Sequence, residues 1–334
     1  MRLPKGKIPA DILSEVVFKR LGEKREDIIL GPSLGEDGAI IRVGDRVIVS
    51  AMDPITGAVE RIGWLAVNIN ANDIATFGVR PAFYSSCILL PENSGKEVVQ
   101  TICSQMHLAA KKLGIAIIGG HCEVTPQLPR PIVIGCGMGV TESGRYVTSS
   151  GSKPGDLLIL TKGAGVEGTA ILADERKDLL MEKLGEPLVR SAEAFYNQIS
   201  VVEEAILAFE TGGVTAMHDP TEGGIAGGIH ELADAADLGF KIYEEKIPIA
   251  LETSEICHIF GIDPLQLIGS GALLISVNED RADEVVRNII DRGIKASIIG
   301  KFLEDPHKRV MIHKDGSERK LIRPVSDHLW LALE

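Results

Sequence analysis

The sequence predicts an α+β protein of two domains. The first half is dense in β-strands around one long helix, and in the second half strands and helices alternate. Three observations carry this. A chain of 334 residues is too long for one small core, so two domains are expected. Strand-like segments crowd residues 39–140, whereas strand and helix patterns take turns beyond residue 157. Between them, S-S-G-S-K-P-G-D over 149–156 is small, polar and broken by Pro, the mark of a linker. The domains are therefore 1–150 and 151–334.

Taking the elements in order, a helix is expected over 10–21, stopped by Gly22. A Gly-rich loop carrying Glu36 and Asp37 leads into a strand over 39–43, and a second strand over 47–51 ends in Met52-Asp53-Pro54. The stretch E-R-I-G-W-L-A-V-N-I-N-A-N-D-I-A-T-F-G-V-R-P over 60–81 opens as a helix, with Ile62, Leu65, Ala66, Ile69 and Thr76 on one side. A buried strand over 82–90 follows, then a helix over 96–113 with Lys111 and Lys112 in its last turn and Gly114 as its C-cap. A strand over 115–118 stops at Gly119-Gly120-His121-Cys122, and a strand over 131–140 closes the block. The second half opens with a strand over 157–161. It continues with helices over 166–174 and 187–209, the segment M-H-D-P-T-E-G-G-I-A from Met217, and a helix to about Ala236. Strands over 240–243, 272–277 and 296–299, a helix over 280–291 and a hairpin turning at Asp315-Gly316 complete it.

Composition narrows the function. Hydrophobic residues at 45% and charged residues at 25% make an ordinary soluble balance. A net charge of −12 argues against a nucleic-acid or acidic-membrane surface, though not against a nucleotide whose charge a metal offsets. No apolar run approaches a membrane span and no signal peptide is read in M-R-L-P-K-G-K-I-P, so a cytoplasmic protein is expected. Five scattered cysteines without a C-x-x-C pair give neither a disulfide framework nor a structural zinc site.

Candidate chemistry gathers on carboxylates and glycines. Asn72 and Asp73 fall on the apolar side of the central helix, where a polar group is costly unless paired. They are either a satisfied core network or ligands to metal or phosphate. Asp37, just before one strand of a hairpin, and Asp53, just after the other, lie at the same end of the sheet. They either mark turns or converge with Asp73 on one edge. Gly119 and Gly120 let backbone N–H groups approach a phosphate. Asp219 or Thr221 is placed to cap a helix opened by Gly223 and Gly224, a plausible anion site. Lys162, after a strand, either reaches a phosphate or caps the domain boundary. His121 either contacts phosphate or satisfies a turn, and Cys122 is either a nucleophile beside it or an inert filler in the place of a small hydroxyl residue.

The order G-E-D-G-A-I-I, M-D-P, N-D-I-A-T-F-G-V-R-P, G-G-H-C-E-V-T-P, P-G-D-L-L-I-L-T-K and D-P-T-E-G-G-I-A resembles the aminoimidazole-ribonucleotide synthetase superfamily. That group holds thiamine-monophosphate kinase, selenophosphate synthetase and the hydrogenase-maturation factor HypE, and the sequence looks nearest the HypE branch. The resemblance implies a PurM-like N-terminal α/β sheet domain that dimerises, followed by a PurM-like C-terminal α/β domain. It implies ATP and Mg2+ as cofactors, with Asp37, Asp53 and Asp73 at metal. Asn72, Gly119, Gly120, Asp219, Thr221, Gly223 and Gly224 would lie at nucleotide, and Asp73, His121 and Lys162 at the chemistry. An enzyme of this kind phosphorylates or activates an oxygen of an acceptor. HypE proteins end in a flexible tail whose final Cys is modified, whereas this sequence ends L-W-L-A-L-E and its last cysteine is Cys257. The acceptor, a small molecule or protein, is therefore expected outside the chain, with a homodimer and a maturation-complex partner as the assemblies. Two alternatives stand beside this: a nucleotide-binding scaffold that has lost the tail chemistry, and a thiamine-monophosphate-kinase-like enzyme, from which M-D-P-I-T-G departs.

Overall fold

Alternation of buried and open side chains sets out the first sheet in a computed structural model that describes residues 6–56 and 60–334. The N-terminal M-R-L-P-K and Gly57 of M-D-P-I-T-G lie outside the described residues. The expected first helix is short, with α1 (Ala10–Ile12) running into a π-helical turn, Leu13–Val17. The chain then divides into two compact units. One comprises residues 27–31 and 37–146. The other comprises residues 147–334, the short segment 32–36 and the described part of 1–26.

The first unit is a six-stranded sheet of β1 (Ile28–Leu30), β2 (Ala39–Val43), β3 (Arg46–Ile55), β4 (Pro81–Leu90), β5 (Ala116–Val124) and β6 (Ile132–Glu142). Their order is β1-β2-β3-β6-β4-β5, and only β4 and β5 run parallel. Two helices belong to this unit, α2 (Ile62–Ala75) and α3 (Lys96–Leu113). Along β3 and β6 every second residue is buried, Val47, Val49 and Ala51 on one and Val133 on the other, the period of a sheet with one covered face. Ile40, Val47, Val49, Ala51, Ile74, Phe77 and Val79 form its core.

Two sequence expectations change here. β3 does not stop at Ala51 but pairs with β6 as far as Ile55↔Val133, so Asp53 stands within the strand. Its other neighbour, β2, is paired only up to Ser50. Pro54 therefore sits where a missing N–H costs no ladder bond. Likewise β5 runs through Gly119-Gly120 to Val124 instead of turning there, with a register shift between Tyr84 and Ser85 on its partner. A Cβ on Gly120 would lie 2.0 Å from the Ser86 carbonyl oxygen. Glycine there permits close strand approach.

The central helix also departs from an amphipathic pattern. Every residue of α2 except Trp64 is buried. It packs on β6 along Gly135, Gly137 and Gly139, where added Cβ atoms would lie 2.4–2.7 Å from Asn70 and Ile74 atoms. A stripe of glycines at period 2 makes a groove for the helix.

The second unit is a seven-stranded sheet of β7 (Leu157–Thr161), β8 (Val214–His218), β9 (Gly239–Tyr243), β10 (Leu274–Val277), β11 (Ala296–Leu303), β12 (Arg309–Ile312) and β13 (Glu318–Lys320). Their order is β13-β12-β9-β11-β7-β10-β8. Its helices are α4 (Val166–Glu175), α5 (Lys177–Leu184), α6 (Glu186–Glu193), α7 (Val202–Thr211), α8 (Gly224–Ala235), α9 (Leu251–Phe260), α10 (Ala282–Asp291) and α11 (His328–Leu333). The single helix expected over 187–209 is broken. α6 passes through a 3-10 turn, Ala194–Gln198, and α7 starts afresh at Val202. The N-terminal segment joins this unit through Lys7, whose backbone N–H donates to Glu222 and whose ammonium pairs with Glu231. Gly35 packs so tightly on α8 that a Cβ would lie 2.6 Å from the Glu231 carbonyl oxygen. Among the described residues no helix is long and apolar enough to cross a membrane.

Candidate functional site

The first unit holds all three aspartates of the expected metal set. The hairpin pairing starts at Ala39↔Ser50, so Asp37, two residues earlier, lies at the end where β3 continues to Asp53. Asp73 is 5% exposed on α2, beside Asn72 at 0%. Among the described residues, no three His, Cys, Asp or Glu side chains are grouped so as to hold a metal ion. The donor set is nonetheless all oxygen. Magnesium commonly takes one or two carboxylates with phosphate oxygens completing its shell, and needs no all-protein cage. The residues therefore fit a metal that arrives with a nucleotide.

Asn70 was missed in the sequence, although N-I-N-A-N-D puts three asparagines at alternate positions of an otherwise apolar helix. It is fully buried. Its Oδ1 accepts the Asp53 backbone N–H at 3.0 Å, and its Nδ2 donates to the Asp53 carbonyl at 3.3 Å and to that of Ala66 at 2.9 Å.

His121 stands on the edge strand β5, every residue of which is exposed. Its Nε2 lies 3.0 Å from Glu123 Oε2, and the Thr125 hydroxyl donates to Glu123 Oε1. Hydrogen bonds from His121 and then Thr125 hold the Glu123 carboxyl below its usual range. Gly119 and Gly120 precede His121 with φ of 156° and 151°. Cys122 is exposed, and its neighbour Cys103 has a thiol pushed up by partial burial and then by Cys122.

In the second unit the geometry reassigns Lys162. Its ammonium donates to the carbonyls of Gln198 at 2.9 Å and Ser200 at 2.6 Å, and pairs with Glu204 at 2.7 Å. Those carbonyls are freed where the helix breaks before α7. An ammonium has three protons to give, and these contacts use them. Lys162 is an anchor of that break.

The D-P-T-E-G-G loop is also satisfied from within. The N-cap of α8 is Gly223 with no side-chain cap from Asp219 or Thr221. Instead the Gly223 N–H donates to Asp327 at 2.6 Å, and Asp327 also accepts from Ile268 and Leu329. The anion expected at this helix N-terminus is thus the chain's own carboxylate. Burial pushes Asp327 up to about 6 against the pull of those three donors. The Gly224 N–H goes to the Thr221 carbonyl, and a Cβ at Gly224 would lie 2.5 Å from the Leu267 carbonyl oxygen. Asp219 is 1% exposed, and His218 Nε2 sits 2.9 Å from Glu231. Burial opposes ionisation of Glu231, yet Lys7 and His218 hold its carboxyl well below the usual range.

Comparison with known proteins follows the two units. Residues 35–141 match the model of the AIR synthase related protein N-terminal domain, and residues 153–313 that of its C-terminal domain. A Methanocaldococcus jannaschii protein named for hydrogenase expression and formation is 30% identical over 332 residues, 96% of this chain and 95% of that one. The carbamoyl dehydratase HypE of Rhizobium leguminosarum is 29% identical over 274 residues, 80% of this chain and 75% of that one. A crystal structure of the hydrogenase maturation protein HypE in complex with ATP superposes with a TM-score of 0.73 at 21% identity, covering 98% of each chain. The chain belongs to the AIR synthase related family, on the side of the hydrogenase expression and formation proteins.

Proposed function

We propose that this protein is an ATP-dependent enzyme that phosphorylates or activates an oxygen of an acceptor supplied from outside the chain, in hydrogenase maturation. The observation that carries the reading is the first unit's carboxylate set. Asp73 is buried at the end of a helix that also grips the main chain of Asp53, and Asp37 enters from the adjoining hairpin. In this reading Asp37, Asp53 and Asp73 hold magnesium, and Asn72, Gly119 and Gly120 lie along the nucleotide. When bound, the metal would offset phosphate charge and polarise the terminal phosphoryl group. His121, oriented by Glu123, is the group that holds or passes a proton at Nε2.

Two further parts belong to the proposal. The C-terminal segment is tied down, with Asp327 bonded and Leu329 and Ala332 buried, which supports an acceptor that is not this segment. The first unit's sheet leaves Met52, Phe83 and Val140 exposed along with the whole of β5. An uncovered edge and apolar face support a homodimer formed through this unit.

The test is release of ADP and phosphate by purified protein with Mg-ATP, with and without carbamoylated or hydroxyl acceptors. Turnover dependent on magnesium and abolished by Asp73→Asn is expected. Neither turnover nor a thermal shift at millimolar Mg-ATP would overturn the reading.

A further inference from the structure

The sharpest unexplained feature is that one carboxamide binds both main-chain groups of Asp53. A residue's N–H and C=O point to the same side of a strand. At the start of β3 the Asp45 carbonyl accepts from the Ser143 N–H beside β6, and the unbroken register carries the same alternation to Asp53, whose main-chain groups therefore face the β6 side. There the Asn70 carboxamide, lying against Gly135, supplies an acceptor at 3.0 Å and a donor at 3.3 Å. One primary amide thus takes up both main-chain groups of Asp53. The Asn70 carboxamide is itself fixed by Ala66 one turn back and by Gly135, the residue paired with Asp53 across the ladder. A Cβ at Gly135 would lie 2.4 Å from Asn70 Nδ2 and 2.7 Å from the Tyr84 hydroxyl.

Asn70 and Asp73 are three residues apart on α2 and therefore on one face. Hence a single side chain sets where the main chain of Asp53 sits relative to the helix that carries Asp73. We infer that Asn70 is a positioning residue, which fixes the spacing of the Asp53 and Asp73 carboxylates for a magnesium nucleotide and has Gly135 as its necessary partner. This rests on the nucleotide reading above. It predicts a loss in metal affinity beyond the loss in stability, since a partner that orients a metal ligand is typically worth ten- to a hundred-fold.

The experiment has two arms. In metal-free protein, hydrogen exchange across residues 46–55 reports the Asp53 amide, which Asn70→Ala should expose. In the second arm, magnesium chloride is titrated at fixed ATP and the midpoint of thermal stabilisation is read. Asn70→Ala should raise that midpoint about ten-fold or more. Gly135→Ala, which keeps the amide and displaces it, should act in the same direction and serves if Asn70→Ala does not fold. Asn68→Ala is the comparator, because Asn68 donates to the Trp64 carbonyl on the same helix and makes no bond to Asp53. The inference is overturned by unchanged exchange at Asp53, by a wild-type midpoint in both Asn70→Ala and Gly135→Ala, or by an equal shift in Asn68→Ala. If exchange responds as expected but even the wild type ignores Mg-ATP, the nucleotide reading falls and takes Asn70's role with it, leaving the clamp as a feature of the fold.

Discussion

Replacing Lys162 separates an anchor from a catalytic lysine. Its side chain is 11% exposed and that of its partner Glu204 is 1% exposed. Lys162→Met leaves a buried carboxylate without its cation and the Gln198 and Ser200 carbonyls without a donor. Glu204 keeps the Thr161 hydroxyl at 3.3 Å, a neutral donor that does not balance the charge. Breaking a buried pair on one side costs about 3–5 kcal/mol. A unit of this size loses roughly 2–4 °C per kcal/mol, so the melting temperature should fall by about 6–20 °C. The double variant Lys162→Met/Glu204→Leu removes the stranded charge and should recover part of this. Its recovery stays incomplete because the two carbonyls remain unpaired, at about 1–3 kcal/mol each. The assay is a metal-free thermal melt, followed by ADP release well below the variant's midpoint, where turnover should persist. A melt within about 2 °C of wild type together with lost turnover would refute the anchor and return Lys162 to the reacting groups.

Three other outcomes are expected. His230 is buried, its Nε2 3.1 Å from the Leu321 carbonyl and its Nδ1 facing Arg309 at 3.4 Å, and burial pushes its imidazole down to about 4. The unfolded chain takes up this proton first, so stability should fall by about 3 kcal/mol as pH drops from about 6.5 towards 4; His230→Gln should flatten that slope in pH-resolved denaturant melts, and an unchanged slope contradicts the assignment. Sedimentation equilibrium at micromolar concentration should give a dimer that Phe83→Glu dissociates without unfolding, and a wild-type monomer would rule the dimer out. Asp327→Ala should lower stability by about 1–3 kcal/mol and speed hydrogen exchange at residues 327–333 while ADP release continues; selective loss of turnover at unchanged stability would place that segment in the site.

The residue pattern alone settled most of the architecture. Strands at period 2 gave β2, β4 and β6 close to their observed bounds, and Gly114 and Asp315-Gly316 marked their helix end and hairpin, because those signals are local. The order of six motifs carried the family. What sequence periodicity could not settle depended on partners far away in the chain. α2 reads as amphipathic, yet it is buried all round because glycines of β6 let it sink into the sheet. Gly119-Gly120 reads as a turn, yet the strand continues because β4 offers a close edge. Asn70 reads as one polar residue among several until the fold lays it over Gly135 against the main chain of Asp53. The α8 N-terminus reads as a place for an external anion, yet a carboxylate 104 residues on occupies it. Lys162 reads as free to reach a ligand until a helix break 36 residues away presents its carbonyls. In each case local propensity names the group that must be satisfied, and only the packed chain decides what satisfies it.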